Sequence, residues 1–497
     1  MTNLDSYNSW HSNWRDLRVG VIGLGVTGFS VADTLAELGA QQLVVAEKAE
    51  ADLLDILNVL QVEHITGQAA LENGGVPQRL VDFAPDVLIT SPGVRPDAAV
   101  IQWAESAGID VWVDIDLAWR LRDKQGIPAQ WICITGTNGK TTTTQLAEAM
   151  LLSGGLRAMA CGNIGTPILD AIRLPDGLDA LVVELSSFQL HYLGEISPLA
   201  SAVLNLADDH LDWHGGFAAY SATKGKVYEQ TKLACVYNVQ DSATEALVEN
   251  ADVVEGARAI GFTLGAPTRS QVGYVENLLV DRAFLEERAS QALEIAQLED
   301  IEQIGVITPH LLANVAAATA LARSVGVQPD EIREAIRNFK LDSHRIELVG
   351  ERNGVRWFDD SKATNPHATA ASLASFDSVV WIVGGLLKGV NLEPLIEQFS
   401  GKLAAAIVIG IDRQPVLDAL KAKAAGVPVF EVSETDKQRV MPKAIEFAGR
   451  VAKPGSTVLL APSAASMDQF KDYADRGEQF AGAVRLWLAD QEGAANE

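Results

Sequence analysis

The sequence predicts an α/β protein of three domains. Short apolar runs that suit buried strands alternate with helical patterns along the chain, which indicates parallel sheets with crossover helices. The length of 497 residues corresponds to about three domains at roughly 150 residues each. Two glycine-rich loops, each between a predicted strand and a predicted helix, open the first and the second domain.

Residues 1–115 form the first predicted domain. Its strands are predicted at residues 17–25, 43–47, 87–90 and 111–113. An amphipathic pattern predicts a helix at residues 27–38, and Gly39 stands where a helix commonly ends. Residues 117–130 are charged and contain a glycine and a proline, so we expect a linker there.

Residues 116–342 and 343–497 form the second and third predicted domains. Second-domain strands are predicted at residues 131–135, 180–184 and 202–205, and helices at residues 141–153 and 310–325. Third-domain strands are predicted at residues 356–360, 379–383, 405–409, 427–432 and 457–460. The acidic region 263–307 is expected to be less regular, and its stretch 293–304 is too charged to assign.

Composition excludes several classes of protein. The formal net charge of −26 argues against nucleic-acid binding through a basic surface, although local phosphate sites remain compatible with it. The longest apolar runs, such as residues 378–387, are far shorter than the roughly 20 residues of a membrane helix, so no membrane span is expected. We expect no secretory signal. The isolated residues Cys133, Cys161 and Cys235 suit a reducing cytoplasm, and without a CxxC they exclude a zinc ribbon.

The first glycine loop, residues 23–28, has the pattern GxGxxG in the sequence GLGVTG. Glycines let the backbone approach a diphosphate, and the N-terminus of the following helix supplies N–H donors. Glu47 closes the next predicted strand, where an acidic residue meets a ribose hydroxyl. The pattern favours a Rossmann-like domain that binds a nucleotide diphosphate, without specifying NAD. A purely structural tight turn is the alternative.

The second loop, residues 135–141, reads TGTNGKT and also follows a strand and opens a helix. Its backbone N–H groups can cradle a triphosphate, Lys140 can reach the β- and γ-phosphates, and the Thr141 hydroxyl can ligate Mg²⁺. It departs from GxxxxGK because Ile134 replaces the first glycine. The loop predicts a central domain like that of P-loop ATPases.

Two phosphate loops in one chain suggest two phosphorylated ligands. A dehydrogenase explains only the first loop, and a plain ATPase explains only the second. A ligase that consumes ATP and holds a nucleotide-linked substrate explains both. A non-enzymatic nucleotide-binding or scaffold protein is a further alternative.

Several motifs resemble those of a known family. The loop TGTNGKT is similar to the ATP loop of the Mur ligases and the folylpolyglutamate synthetases. Residues 184–190 (ELSSFQL), 360–365 (DSKATN) and 466–470 (SMDQF) resemble segments of the Mur ligases that add D-glutamate. With GLGVTG and residues 91–93 (SPG), the matches lie in all three predicted domains in family order.

The resemblance implies a reaction. ATP would phosphorylate the carboxylate of UDP-N-acetylmuramoyl-L-alanine, and the amine of D-glutamate would attack the acyl phosphate through a tetrahedral intermediate. ADP and phosphate would leave, as a step of peptidoglycan precursor synthesis. The implied partners are these small molecules, with ATP and Mg²⁺ and without nucleic acid. A cytoplasmic monomer with a Rossmann-like third domain is expected.

Related enzymes are the alternatives within this chemistry. A sister ligase could use another amino acid, although lysine- or diaminopimelate-adding ligases would be expected to carry other third-domain motifs. A folylpolyglutamate synthetase would share the ATP loop. The GxGxxG domain counts against the folate enzymes, which lack a comparable nucleotide-sugar domain.

The resemblance also implies roles for individual residues. The implied catalytic residues are Lys140, His210, Lys224 and Lys362. The implied metal ligands are Thr141, Glu184, His210 and Lys224, the last in carbamylated form. The implied ATP contacts are Gly136, Thr137, Asn138, Gly139, Lys140, Thr141, Asn314, His344, Arg345 and Asp360.

The two other substrates have their own implied residues. The UDP-sugar set is Val26, Thr27, Glu47, Ser91, Gly93, Asn163, Ser186 and Gln189. The D-glutamate set is His210, Lys362, Thr364, Lys388, Ser466, Met467 and Tyr473. Two positions depart from the family pattern: Leu311 follows His310 where the family often has asparagine, and Tyr473 stands where phenylalanine is common. We expect the third domain to rotate and close over ATP.

Overall fold

The chain folds around three separate sheets. A computed structural model describes residues 2–434 and 436–495. Within these residues, the chain up to Leu298 together with Ala313–Ile336 forms one compact unit, which holds two sheets. Glu299–Leu312 and the chain from Arg337 onward form a second compact unit, which holds the third sheet.

The first sheet has five parallel strands in the order β3-β2-β1-β4-β5. The strands are β1 Arg18–Ile22, β2 Gln41–Ala46, β3 Glu63–Thr66, β4 Val87–Thr90 and β5 Asp110–Trp112. The helices are α1 Val26–Leu38, α2 Ala51–Val59, α3 Gln78–Phe83, α4 Ala99–Ala107 and α5 Asp114–Leu121. Helix α1 ends at Gly39, which adopts φ +71°.

The linker expected at residues 117–130 is wrong in its first part. Residues 117–121 belong to α5, whose Leu117, Ala118 and Leu121 are fully buried in the core that also receives Leu169 and Leu190. The charged residues that made this stretch look like a linker include Arg120, which lies on α5 itself and is only partly exposed. Burial against a second layer is a tertiary effect that local composition does not reveal.

The second sheet has nine strands in the order β14-β13-β12-β11-β10-β9-β6-β8-β7. They are β6 Gln130–Thr135, β7 Ala158–Gly162, β8 Ala180–Glu184, β9 Ala200–Val203, β10 Ala234–Asn238, β11 Arg258–Phe262, β12 Gln271–Val275, β13 Leu278–Asp281 and β14 Leu293–Gln297. The helices from α6 onward are α6 Lys140–Ser153, α7 Ile168–Ile172, α8 Ser187–Tyr192, α9 Leu211–His214, α10 Phe217–Gly225, α11 Ser242–Glu249, α12 Leu298–Ile301, α13 Pro309–Ser324 and α14 Pro329–Asn338.

The acidic region 263–307 is more regular than the sequence suggested. Strands β12, β13 and β14 pair antiparallel and extend the otherwise parallel sheet. In β14, Ile295 and Ala296 are buried while Glu294 is exposed. The stretch 293–304, which the sequence left unassigned, contains β14 and α12. Its apolar pattern is hard to see in the sequence because acidic residues interrupt it, of which Glu294 and Glu299 are exposed and Asp300 is buried.

The third sheet has six strands in the order β15-β16-β20-β17-β18-β19, and β15 is its antiparallel edge. The strands are β15 Glu347–Arg352, β16 Val355–Asp359, β17 Val379–Gly384, β18 Leu403–Ile409, β19 Val429–Glu431 and β20 Thr457–Leu460. The helices are α15 Pro366–Ala374, α16 Glu393–Phe399, α17 Gln414–Lys423, α18 Lys437–Val451 and α19 Tyr473–Ala495. The predicted parallel strands are present, whereas edge strand β15 was not predicted.

The three cysteines are free and buried in the first unit. Cys133 and Cys161 are fully buried and Cys235 is 2% exposed. Burial raises the pKa of all three thiols, that of Cys235 to about 11. Among the described residues, no helix is both long and apolar enough to span a bilayer.

Arg173 joins the two layers of the first unit. Its guanidinium lies 2.7 Å from the Asp33 carboxylate and 3.3 Å from Glu37, both on α1, and 2.9 Å from Asp170 on α7. The Ser30 hydroxyl, also on α1, donates to Asp170 at 2.7 Å. The Arg173 side chain is only 17% exposed, so its loss leaves three carboxylates without their shared cation.

We expect Arg173→Ala to lower the free energy of unfolding by roughly 1–3 kcal/mol, because three partly buried carboxylates lose one cation. Urea unfolding followed by circular dichroism measures this change. Arg79→Ala is the matched control, since Arg79 pairs with Glu63 on the surface and both side chains are 47% exposed. That variant should be close to wild type. Equal effects in the two variants would contradict the role given to Arg173.

Candidate functional site

The first glycine loop makes a sharp turn between β1 and α1. Gly23 adopts φ +95°, a conformation that favours glycine, and the Ser91 side chain packs against it. A Cβ on Gly28 would lie 2.9 Å from the Gly23 carbonyl carbon and still closer to its oxygen. The loop therefore needs a glycine at position 28 to bring the start of α1 against β1.

A cavity of about 180 Å³ lies between this loop and the second sheet. It is lined by Val26, Thr27, Pro92, Gly162, Asn163, Ile164, Gly165, Pro167 and Gln189. Four residues of the predicted UDP-sugar set therefore meet at its wall. Of the others, Ser186 bonds to Gln189 and Ser91 packs on the loop, whereas Glu47 and Gly93 are exposed and are not part of this wall.

The conformation of the second glycine loop is fixed by hydrogen bonds to its backbone. Gly136 and Gly139 adopt φ +156° and +82°. The Asn205 side chain accepts from the Asn138 N–H at 2.9 Å and donates to the Asn138 carbonyl at 3.0 Å. The Lys140 ammonium donates to the carbonyls of Gly136 and Thr137, both at 2.9 Å. These contacts fix the loop that leads into the start of α6. Phosphate oxygens bind at such helix N-termini in other proteins.

The structure brings the first-unit residues of the predicted ATP set together. Residues 136–139 form the loop, and Lys140 and Thr141 begin α6. The Asn314 amide carbon lies 3.2 Å from the place that a Cβ on Gly139 would occupy. A glycine at position 139 therefore allows Asn314 to pack directly against the loop.

Lys224 lies beneath the same loop. The residue is 2% exposed, and its ammonium donates to the Gly136 carbonyl at 2.9 Å and to the Thr135 hydroxyl at 3.2 Å. Burial, together with the nearby charge of Lys140, holds the pKa of Lys224 well below its usual range, while Asp209 and Glu184 act in the opposite direction. The amine is therefore more easily neutral than an exposed lysine.

Glu184 is the last residue of β8, and its two carboxylate oxygens differ in their hydrogen bonding. Its Oε1 accepts from the Asn163 amide at 2.8 Å. Its Oε2 is buried and has no hydrogen-bond partner among the described residues. A buried, unpaired carboxylate oxygen is unfavourable unless a cation binds it.

Several predicted metal ligands fit Mg²⁺ chemically. Glu184 Oε2 and the Thr141 hydroxyl supply the oxygen donors that Mg²⁺ prefers. His210 is exposed, adopts φ +52°, and packs its ring 4.7 Å from the ring of Phe188, which belongs to the segment that follows Glu184. Lys224 could contribute oxygen only as a carbamate. The residues present therefore fit a cation on the Glu184 side of the loop.

A second group of possible metal ligands lies in the second unit, where His344, Glu347 and Asp359 place ligand atoms within 4.8 Å of one another. These residues already form hydrogen bonds with one another. The His344 ring Nδ1 lies 2.7 Å from Asp359 Oδ2, and the His344 N–H donates to Glu347 at 2.9 Å. Asp359 raises the pKa of His344 through this contact. The pair braces the backbone next to Arg345.

The predicted D-glutamate residues of the second unit follow the carboxyl ends of β16, β17 and β20. The Lys362 ammonium lies 3.8 Å from the centre of the Tyr473 ring. Lys388 adopts φ +52° and is exposed. The loops after β17 and β20 bond through Leu386 N–H to the Ala465 carbonyl at 2.9 Å. The remaining members are Thr364, Ser466, which is buried, and Met467, which is 62% exposed.

Asp360, a predicted ATP contact, is buried just after β16. Its carboxylate accepts from the Ser372 hydroxyl and from the Ile346 N–H, the latter at 3.3 Å. Burial raises the pKa of Asp360 to about 6, while the Ser372 hydrogen bond and the Arg345 charge act against the rise. The structure thus ties Asp360 to the segment that carries Arg345.

Some residues that shape these sites were missed by sequence reasoning. Arg476 is fully buried and donates to the Ser361 hydroxyl at 2.9 Å, to the Ser361 carbonyl at 2.8 Å and to the Ala464 carbonyl at 3.1 Å. Burial lowers its pKa to about 10. Nothing in its sequence context separates it from a surface arginine. Asn205 could have been noticed as a polar residue at the end of a predicted strand.

Comparison with known proteins agrees with the motifs. The chain matches the model of the Mur ligase MurD-like N-terminal domain at residues 17–113. It matches the Mur ligase middle domain at residues 134–322 and the Mur ligase glutamate ligase domain at residues 344–464. Together these matches extend over most of the chain.

Similar proteins are named UDP-N-acetylmuramoylalanine–D-glutamate ligase. That of Leifsonia xyli subsp. xyli is 53% identical over 496 residues, covering 98% of this chain and 95% of the relative. That of Streptomyces coelicolor is 47% identical over 481 residues, covering 95% of this chain and 99% of the relative. That of Mycolicibacterium smegmatis is 40% identical over 499 residues, covering 94% and 96%.

Solved structures share the fold at low sequence identity. The UDP-N-acetylmuramate–alanine ligase MurC of Thermotoga maritima has a TM-score of 0.54 at 17% identity, covering 95% of this chain and all of that one. The MurF ligase of Thermotoga maritima, solved in complex with ADP, has a TM-score of 0.52 at 16% identity, covering 99% and 100%.

The chain belongs to the Mur ligase family. The resemblance drawn from the motifs is confirmed, and so is the three-domain α/β class. The predicted domain boundaries and the roles of the individual site residues stay predictions.

We expect Gly28→Ala to raise the Kd for UDP-N-acetylmuramoyl-L-alanine at least tenfold, because the added Cβ displaces the loop backbone beside the cavity. ATP affinity should stay within about twofold, since the second loop is untouched. Titration calorimetry with each ligand measures both. Gly482→Ala is the control, because this helical glycine has open space around it. Unchanged affinity in Gly28→Ala would contradict the assignment of the cavity.

Proposed function

We propose that this chain is an ATP-dependent ligase that adds D-glutamate to UDP-N-acetylmuramoyl-L-alanine in peptidoglycan precursor synthesis. The observation that carries the proposal is the segment from Glu184 to Gln189. Glu184 has a carboxylate oxygen without a hydrogen-bond partner among the described residues, and it lies beside the ATP loop. Gln189 lines the cavity beside the GxGxxG loop. One short segment therefore joins the two predicted nucleotide sites. The family and the names of the relatives support the same reaction.

The first chemical step needs two anions to meet. A carboxylate oxygen of the nucleotide substrate attacks the γ-phosphorus of ATP, the bond to the ADP oxygen breaks, and an acyl phosphate forms. Lys140 and the loop N–H groups would hold the β- and γ-phosphates and offset their charge. Bound through Thr141 and Glu184, Mg²⁺ would supply further positive charge. His210 would complete the metal side of the site.

The second step forms the amide. The D-glutamate amine attacks the acyl carbon, a tetrahedral intermediate forms, the nitrogen releases a proton to solvent, and phosphate leaves with the bonding electron pair. Lys388 and Lys362 would bind anionic oxygens, and the Tyr473 ring would hold the Lys362 ammonium in place. Thr364, Ser466 and Met467 would complete the amino-acid pocket. The added hydroxyl of Tyr473 would change the polarity of that pocket without removing the ring.

We further propose that the protein uses ATP and Mg²⁺ as cofactors and that its partners are small molecules. We also propose that it is a monomer located in the cytoplasm. Asn314, Arg345 and Asp360 would add contacts to the nucleotide. Leu311 cannot form the hydrogen bond that an asparagine would provide there. The rotation of the third domain stays a prediction.

Carbamylation of Lys224 is part of the proposal. The low pKa of the buried amine favours its neutral form, which is the nucleophile that attacks CO₂. A nitrogen–carbon bond forms, a proton is released, and a carbamate anion results. This anion would orient Mg²⁺ and would stabilise the neighbouring Lys140 ammonium.

We expect the protein, incubated with ¹³C-bicarbonate, to show a carbamate carbon resonance that Lys224→Met lacks, because the buried amine is the predicted site of modification. NMR spectroscopy measures it. Lys232→Met is the control, since Lys232 is exposed on the surface. A carbamate signal of equal size in Lys224→Met would rule out the assignment.

The proposed reaction is tested by phosphate release from ATP and Mg²⁺ with UDP-N-acetylmuramoyl-L-alanine. D-glutamate, L-glutamate, L-lysine, diaminopimelate and no amino acid are compared, and product mass is measured. We expect release with D-glutamate and a product heavier by one glutamyl residue, because the third-domain motifs match that branch.

Lys140→Ala, folded as judged by circular dichroism, should lose turnover and serves as the control for a contaminating enzyme. Release with another amino acid would keep the ligase chemistry and overturn the D-glutamate assignment. No release in any mixture would overturn the proposed function, and binding of NAD would then favour the dehydrogenase alternative.

A further inference from the structure

We propose that Asp114 is a positioning residue for the sugar-nucleotide substrate, because it fixes the side-chain amide of Gln189 at the wall of the cavity. The inference rests on the proposed function and deepens it. Asp114 lies on the first layer, at the start of α5, whereas Gln189 lies on α8 of the second layer. The contact therefore crosses between the two layers that enclose the cavity.

The orientation of the Gln189 amide follows from its partners. Its Nε2 donates to the two carboxylate oxygens of Asp114 at 3.3 and 3.4 Å. Its Oε1 accepts from the N–H and the hydroxyl of Ser186, both at 3.1 Å. An ionised carboxylate only accepts and a backbone N–H only donates, so the amide cannot be flipped without losing both contacts.

Asp114 is itself held rigidly. It is 3% exposed and occupies the first turn of α5, where the helix dipole favours an anion. The apolar residues that follow it anchor α5 in the core. Burial raises the pKa of Asp114 to about 6, while hydrogen bonds from Gln189 and from the backbone of Ile115 act against the rise. A buried carboxylate is costly without hydrogen-bond partners, and the Gln189 amide supplies one here.

The consequence for the cavity is chemical. With Oε1 accepting from Ser186, Gln189 turns its NH₂ group rather than its carbonyl toward Asp114. This group carries two hydrogens, so a hydrogen that is not directed at Asp114 can be donated to an acceptor oxygen of the sugar or of its acyl stem. Ser186 and Gln189 are both in the predicted UDP-sugar set. Because Gln189 bonds to both Asp114 and Ser186, we expect the loss of Asp114 to alter the position of Gln189 and its hydrogen bond to Ser186.

Asp116 is a natural comparison within the same helix. It is 7% exposed, and burial raises its pKa to about 6 as well. Its oxygens accept from the N–H groups of Val113 at 2.9 Å and Gly194 at 2.8 Å, and neither of these residues lines the cavity. A variant at Asp116 therefore reproduces the loss of a buried charge without the contact to Gln189.

The experiment compares Asp114→Asn and Asp116→Asn in the full-length protein. KM is measured for each of the three substrates, and Kd for UDP-N-acetylmuramoyl-L-alanine is measured by calorimetry without ATP. For Asp114→Asn we expect KM and Kd for the sugar nucleotide to rise about tenfold, as when one charge-assisted hydrogen bond is lost. KM for ATP and D-glutamate and kcat should stay within about threefold. Asp116→Asn should change none of these beyond about twofold.

Equal changes in the two variants, or an unchanged Kd in Asp114→Asn, would overturn the proposal. Should Asp114→Asn fail to fold, Asp114→Glu tests the same contact, because it keeps the charge and moves the carboxylate by one methylene. The same rise in sugar-nucleotide Kd is expected, and a wild-type Kd would overturn the inference. Absence of turnover in the wild-type protein would refute the proposed function alone, since the Kd comparison still tests Asp114.

Discussion

The contact between α8 and the first turn of α5 is the constraint on which both candidate sites of the first unit depend. Helix α8 begins directly after Ser186 and carries Gln189 into the cavity wall. Asp114 holds Gln189 near the start of this helix. Further along, the Tyr192 hydroxyl donates to the Val94 carbonyl at 2.8 Å. A shift of α8 would therefore alter the cavity and the position of Glu184 together.

Charge is distributed so that a strongly acidic protein can accept polyanionic ligands. The net charge is −26, yet the second loop has two lysines, Lys140 and Lys224, within hydrogen-bond distance of its carbonyls. Backbone N–H groups and helix N-termini add positive potential without adding formal charge. Glu184 retains an open oxygen in the same region. Local arrangement, rather than the overall charge, decides what such a site binds.

Much of the fold was predictable because most parallel strands in this chain are buried on both faces and read as apolar runs. Strands β1, β6, β8 and β17 are clear in the sequence for this reason. Helix α5 and strands β13 and β14 were missed or left open, because their buried residues are mixed with acidic ones. Only tertiary packing shows which side of these elements is covered.

The candidate sites divide in the same way. Glycine loops and the segments that resemble the family identify residues that would touch ligands, such as Lys140, Glu184 and Lys362. Residues that act through another residue carry no such mark. Asp114 and Arg476 are ordinary charged residues in the sequence, and only their burial and their partners in space show that they hold the loops in place.

The burial of the three cysteines has a practical consequence. A thiol reacts with alkylating dyes as the exposed thiolate, and Cys133, Cys161 and Cys235 are neither exposed nor easily ionised. The three native cysteines should therefore react little with thiol-directed fluorescent dyes. Ile127 is 91% exposed in the turn after α5, so a cysteine introduced there would take up a reporter dye while the native thiols stay unmodified.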